Sequence, residues 1–491
     1  MSTFGGLHIG TSAIHAAQRG LDVTGQNIAN SATPGYSRQR VDLEAIGGPG
    51  VPAFWSKYDG TGEGVKITGV SRLTDSFLVA RANNANANLG NIQEQQKTMA
   101  AMERIVGEPS DTGLQKKLAQ MWNAFGGAGN SPTVADQAPR AQALERTKDA
   151  AGQLNLMASS LETQWQDTGS EVVANVNDVN TMAKDVARLN DAIRNNNIAK
   201  VPSNELLDQR DLLISKIADL TGATVRPAEQ DQNSPFNSQS VDVFIGGTKL
   251  VDGVKANLLT VNDPNAGTYP DSGDPQPVTV QWDTTASSDP HVGNANSGDS
   301  GIASGRISGQ LKGMNETIPN YMAKFDDIAA KLAETVNSQQ AQGFTVEGEA
   351  GADLLVAADG GAVTARNIRV PQDAVANSIA VSTGDINGTP AALDGNNARA
   401  MSRHIADVGG TDATYKAMVV ELGVQAQSVN RNVDVQANVV MKAEDARDSV
   451  SGVSLNEEMT NLVQFQHSFS AAAKYVGVID QTLDTLINMV R

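Results

Sequence analysis

Residues 454–491 read SLNEEMTNLVQFQHSFSAAAKYVGVIDQTLDTLINMVR. Apolar or small side chains fall at Leu455, Met459, Leu462, Phe469, Ala473, Val476, Leu483, Ile487 and Val490, with Gln466 and Asp480 in the two remaining places of an alternating four-three spacing. That spacing is a heptad seam, the mark of a helix that buries one narrow stripe against other helices. Ser454 and Glu457, just after Gly452, have the form of a capping box that starts the helix. A matching stretch lies at the opposite end, where Leu7, Ile14, Leu21 and Ile28 recur every seventh residue with Gly10, Ala17 and Thr24 between them. About ten seam side chains contribute ~15–20 kcal/mol on burial. Ordering a helix of about 35 residues costs ~1–2 kcal/mol per residue in backbone entropy alone. Neither end is expected to hold alone in water. Paired with each other and with sister copies they gain order, so both ends are expected to serve self-assembly.

The chain between them, within a total of 491 residues, has room for roughly two to four domains. Apolar residues make up 40% and aromatics only 4%, a balance that suits thin helical bundles better than wide cores. The net charge of -18 and pI near 4.7 leave no basic stripe for phosphates, so nucleic acid is not an expected partner. The acidity reads as solubility. With no cysteine, disulfides, thiol catalysis and thiolate zinc sites are excluded. No apolar run approaches the ~18 residues of a membrane span, so no membrane insertion is expected. A basic stretch followed by an apolar one is missing from the N-terminus, so export is expected without a cleaved signal peptide.

Helix 7–28 should stop before Pro34, because the residue preceding proline avoids the α region. An extended segment, 36–43, follows. Helices are expected over 74–105, 114–125 (ended by Gly126 and Gly127), 133–198 (with breaks near Gly152 and Gly169) and 203–220, with Gly222 closing the last. Val172, Val176, Val179, Ala183, Val186 and Ile193 give the long helix its seam. Short β-like runs between turn clusters occupy 225–282, and a loop-rich stretch continues to about residue 301. Periodicity returns at 302–340, with Tyr321, Phe325, Ile328, Leu332 and Val336 on one face. Residues 343–400 are irregular, with candidate strands at 368–370 and 379–381. A last long helix runs from 411 to 450, with Met418, Leu422, Ala426, Val429, Val433 and Val440 as its stripe.

Several of these segments carry a resemblance. The run Gln26-Asn27-Ile28-Ala29-Asn30-Ser31-Ala32-Thr33-Pro34-Gly35-Tyr36-Ser37-Arg38 resembles the N-terminal signature of bacterial flagellar axial proteins of the rod, hook and first hook-associated classes. Residues 62–70 are similar to the glycine-rich strand that follows it in hook-type members. Leu206-Leu207-Asp208-Gln209-Arg210-Asp211-Leu212-Leu213 resembles a segment of the FlgK family that rod and hook proteins do not usually carry, and 449–458 resembles that family's C-terminal signature. Asn27, Asn30, Pro34, Gly35, Tyr36, Leu207, Asp208, Gln209, Arg210 and Asp211 carry the match. Read from the residues alone, Asn27 and Asn30 share a helical face and suit either helix-end capping or a bond to a neighbouring subunit, and the Asp-Arg-Asp cluster suits a structural salt bridge.

The resemblance implies a mainly α fold with β inserts in an α+β multidomain chain. A terminal coiled coil would comprise 1–45 plus 441–491. A long-helix middle domain would comprise 46–224 plus 301–440, with β elements near 46–72 and 345–400, and 225–300 would form a small inserted outer β domain. It further implies a structural role at the hook–filament junction of a flagellum, as a homo-oligomer in a tube. The hook protein would lie below and the second junction protein (hook-associated protein 3) above. Export would run unfolded through the flagellar type III channel, with an export chaperone on the C-terminal helix. Alternatives are a hook or rod axial protein and an extracellular, adhesin-like coiled-coil binding module.

No catalytic, cofactor or metal site is expected. His8, His15, His291, His404 and His467 show no metal-ligand spacing, and neither a Gly-x-Ser-x-Gly elbow nor a Gly-Lys-Ser/Thr phosphate loop is found. Gly62 and Gly64 lack the third glycine of a dinucleotide fingerprint, since position 67 is Ile67. Asp326-Asp327 and Glu457-Glu458 read as solvated faces or partners of a helix N-terminus.

Overall fold

The computed structural model describes residues 3–47, 62–228, 239–270, 275–285, 287–293, 298–383 and 394–489. Val490, the last seam position, lies outside the described residues. Helix α1 (Thr3–Ala29) leads through a turn that includes Gly35, at φ +79°, to a hairpin of β1 (Gln39–Ile46) and β2 (Gly64–Arg72). Four helices follow: α2 (Ser76–Val106), α3 (Leu114–Asn130), α4 (Ala138–Ile198) and α5 (Asn204–Thr221). Asp75 caps α2 by accepting from Phe77 and Leu78, and left-handed Gly222 closes α5.

Six strands come next: β3 (Thr224–Pro227), β4 (Val241–Ile245), β5 (Thr248–Asp252), β6 (Lys255–Ala256), β7 (Leu259–Asn262) and β8 (Thr279–Trp282). β3 to β6 form one antiparallel meander and β7 pairs with β8. Helix α6 (Gly305–Lys312) runs through a π turn into α7 (Ile318–Ala341). After the small ribbon of β9 (Val356–Ala357) and β10 (Ile368–Arg369) come α8 (Asn396–Arg403), α9 (Thr411–Ser451) and α10 (Leu455–Met489).

One continuous apolar core runs along α4. The seam from Val172 to Ile193 is buried throughout, and Val176, Val179, Ala183 and Val186 share that core with Val243, Ile245, Leu250, Leu259 and Trp282 of the strands. The β insert therefore lies along α4. Asparagines make the joints. The Asn180 amide donates to the Leu259 carbonyl and accepts its N–H, both at 2.8 Å. Asn315 in the π turn does the same to Val278, and Asn337 on α7 to Leu355. Each amide meets one residue's two backbone groups as a neighbouring strand would.

Four sequence expectations change. α3 continues through Gly126 and Gly127 to Asn130, and Gly129 sits so close to α8 that a Cβ would lie 2.8 Å from the Gly395 carbonyl. α4 is unbroken at Gly152 and Gly169, because packing outweighs the ~1 kcal/mol cost of a helical glycine. Residues 379–381 are buried but form no strand, since Gln340 accepts the Ala380 N–H, Asn397 donates to the Ala380 carbonyl and the Ala398 N–H donates to the Val381 carbonyl. Helix α8 is too polar and short to show a period.

Candidate assembly site

α1 and α10 pack antiparallel, but not through the large residues of α1. Gly6, Gly10, Ala16, Ala17, Gly20, Val23 and Thr24 are the buried face. A Cβ on Gly6 would meet Ile479, one on Gly10 would meet Val476 and Tyr475, and one on Gly20 would lie 2.5 Å from the Phe465 ring. Small residues let the helix backbones approach, and α10 supplies the bulk. The row Leu7, Ile14, Leu21 and Ile28 is only half-buried beside this face.

On α10 the inward positions are Glu458, Leu462, Phe465, Phe469, Ala472, Val476, Ile479 and Leu483, all buried or half-buried. Half of the expected seam, Leu462, Phe469, Val476 and Leu483, lies there. The other row is displaced by one residue. Of that row Met459 and Ile487 stay 51% and 62% exposed and Ala473 is exposed too, while Leu455, which opens the first row, is 52% exposed. The physical reason is visible in the spacing: the expected frame forced Gln466 and Asp480 into the seam, whereas the observed one places Phe465 and Ile479 there. The frame also carries a polar residue at one end, Glu458, which is 1% exposed.

Glu458 is not a solvated carboxylate but the centre of a node. Arg38 Nε donates to its Oε1 at 2.8 Å and Asn27 Nδ2 to its Oε2 at 3.0 Å, while Arg38 also pairs with Glu457 at 2.6 Å. Glu457 therefore turns to Arg38 in place of a reciprocal cap with Ser454. Asn27 Oδ1 accepts from the Gln39 N–H and the Tyr36 hydroxyl, and Asn27 Nδ2 also donates to the Gln39 carbonyl. The same asparagine clamp thus fastens α1 to β1. Burial, with Asp208, Glu205 and Glu458 nearby, pushes the Tyr36 hydroxyl up to about 12 and keeps it a donor. Asn30 makes only helix-end contacts, to the Gln26 carbonyl and Thr33. Pro34 and Gly35 form the exposed turn, and a Cβ on Gly35 would press on Leu212.

A second node joins this one through β2. Arg72 reaches Asp208 at 2.8 Å and Asp211 at 2.9 Å, and donates to Ser37. Arg210 points the other way, to Asp211, Asn190 and the Gln239 carbonyl ahead of β4. Burial raises the Asp208 carboxyl, against the pull of Arg72 and Ser37, and lowers the Arg210 guanidinium against Asp211. Leu207 is half-buried and Gln209 exposed. The Asp-Arg-Asp cluster is thus a three-way joint between α5, the hairpin and the β insert. Arg72 is the residue that the sequence did not single out; Arg38 stood only as the end of the signature run, and Glu458 was read as a solvated or helix-start carboxylate. The signal for Glu458 was the better heptad frame.

No helix among the described residues is long and apolar enough to cross a membrane, and no group of three or more His, Cys, Asp or Glu side chains among them is placed to hold a metal.

The FlgK helical-domain model, described as flagellar hook-associated protein FlgK helical domain, matches residues 99–355. Flagellar hook-associated protein 1 of Bacillus subtilis is 30% identical over 99% of this chain and 98% of its own length. The chain belongs to the FlgK family. The Escherichia coli flagellar hook-associated protein 1 is 24% identical over 97% of this chain and 98% of its own. Models of the flagellar rod proteins match residues 7–36 and 447–489, which are the two ends that meet in the Glu458 node. The flagellar hook junction protein FlgK from Burkholderia pseudomallei superposes with a TM-score of 0.61 at 16% identity, over 76% of this chain and 100% of its own, which shows the shared fold. FlgK-family proteins are structural components of the flagellum, at the hook–filament junction, and the chain has that structural role.

Proposed function

We propose that the chain joins hook to filament by polymerising into a ring or tube through its paired terminal helices. The observation that carries this reading is the α1–α10 pair itself. Its seam is closed within one chain, while Leu7, Ile14, Leu21 and Ile28 on one helix are only half-buried and Leu455, Met459 and Ile487 on the other are exposed, leaving apolar surface for sister copies. Such rows stabilise an assembly through apolar burial at ~25 cal/mol per Å². Hook protein below and hook-associated protein 3 above are the expected neighbours, and an export chaperone would cover α10 before assembly. The protein works outside the cell, having left unfolded through the flagellum's own channel, and its role is architectural and not catalytic. Three units fit this reading: the termini, the helical middle, and the strands over 225–300.

Removing 455–491 tests the proposal. We expect a folded, soluble middle and cells whose hooks carry no attached filament, with the protein absent from hook tips by immuno-electron microscopy. Normal filaments on such hooks contradict the reading.

A further inference from the structure

The α1–α10 seam is repetitive, yet it holds one alignment. Gly6 meets Ile479, Gly10 meets Tyr475 and Val476, Gly20 meets Phe465, and Asn27 meets Glu458, so each step up α1 is matched by an equal step down α10. The apolar part tolerates other alignments. Slid by one heptad, about 10 Å along the axis, Phe465 would meet Ala13 in one direction and Val476 would meet Ala17 in the other. Small faces large in both cases. The polar end does not survive either slide. In the first, Glu458 is buried against Gly20, away from Asn27. In the second, Asn27 is buried against Phe465. A buried polar group left without its partner is costly, and a single such group in an apolar seam is the best-attested way to fix the alignment of paired helices.

We propose that Asn27, Arg38 and Glu458 set the register in which α1 pairs with α10. Asn27 is 1% exposed and is itself held by the Gln39 backbone and the Tyr36 hydroxyl, so it cannot follow a sliding helix. Arg38 is fixed by its own N–H on the Ser451 carbonyl, which ties the node to the end of α9. The node therefore gauges α1, β1, α9 and α10 against one another. It deepens the assembly reading, because copies stack uniformly only when each presents its uncovered rows at the same height. It is tested without any polymer, so the failure of one is distinguishable from the failure of the other.

The chain has no cysteine, which makes disulfide trapping unambiguous. A Cβ on Gly10 lies 2.5 Å from Val476 Cγ2, so Gly10→Cys with Val476→Cys reports the observed register. Ala17→Cys with Val476→Cys, and Gly10→Cys with Phe469→Cys, report the two slides. Effective thiol concentrations are measured on the dilute full-length chain in a glutathione buffer. With the node intact, the first pair is expected to close at least tenfold more readily than the other two. With Asn27→Leu and Glu458→Leu, the slid pairs are expected to rise at least tenfold while far-UV helicity is kept. Glu458→Gln, which still accepts from Asn27, guards against a loss of fold in the double variant. It is expected to retain the observed register and to lose part of its preference over the slid ones. Slid pairs that stay as rare as in the parent in both variants overturn the proposal, and so does a parent that closes all three pairs equally.

Discussion

At the scale of single residues, asparagine explains much of how this chain holds together. Asn27, Asn180, Asn315 and Asn337 each span the N–H and C=O of one residue, so that helices grip strands without a continuous sheet. A carboxylate keeps the shape but loses the donor and faces a carbonyl. Asn180→Asp is accordingly expected to cost about 2–3 kcal/mol, read as a lower urea midpoint. A midpoint equal to the parent's speaks against the clamp. Asp412 makes a different point. Burial raises its carboxyl above the ordinary value, although Trp122 Nε1 donates to it at 2.7 Å. A raised carboxyl holds its proton better in the folded state, so its favourable share is complete below the ordinary carboxylate pKa and is lost as pH rises through the folded one. Asp412→Asn does not titrate. Relative to the parent, its stability should therefore improve as pH rises above the ordinary carboxylate value of about 4. Parallel pH profiles for the two proteins rule this out.

At the scale of elements, the sequence was informative where one period ruled and misleading where two competed. The α4 seam is legible because Val172, Val176, Val179, Ala183, Val186 and Ile193 keep one apolar period, with Asn190 the buried polar residue among them. α10 is harder, because Met459 and Ile487 make one frame attractive while Phe465 and Ile479 make the other better packed. α1 hid its working face because glycine and alanine register as blanks in a pattern of large side chains. The joints between Arg72, Asp208 and Asp211, and between Arg38, Asn27 and Glu458, connect residues far apart in the chain, so no local pattern announces them. The small face gives a direct check. Gly20→Val should overpack against Phe465 and weaken the α1–α10 pair by about 1–3 kcal/mol, while Gly25→Val, with nothing within 4 Å of its Cβ, should not. Limited proteolysis of the terminal helices distinguishes the two. Equal cleavage of both variants contradicts the glycine seam.

At the scale of the whole molecule, the two ends differ in kind from the middle. α4 carries a buried stripe from Arg140 to Ile193, whereas only Glu458 and Ala472 are buried along α10. Apolar burial of that size falls short of the entropy of ordering two long helices. The α1–α10 pair is thus expected to open often in a lone chain, closing in a single register each time, and to become permanent beside its copies. Amide hydrogen exchange of the full-length protein, measured in dilute monomer and in hook-tip assemblies, tests this most directly. The account predicts rapid exchange over 3–29 and 455–489 in the monomer, slow exchange in α4, and equally slow exchange throughout once assembled. Terminal helices as protected as α4 in a proven monomer contradict it.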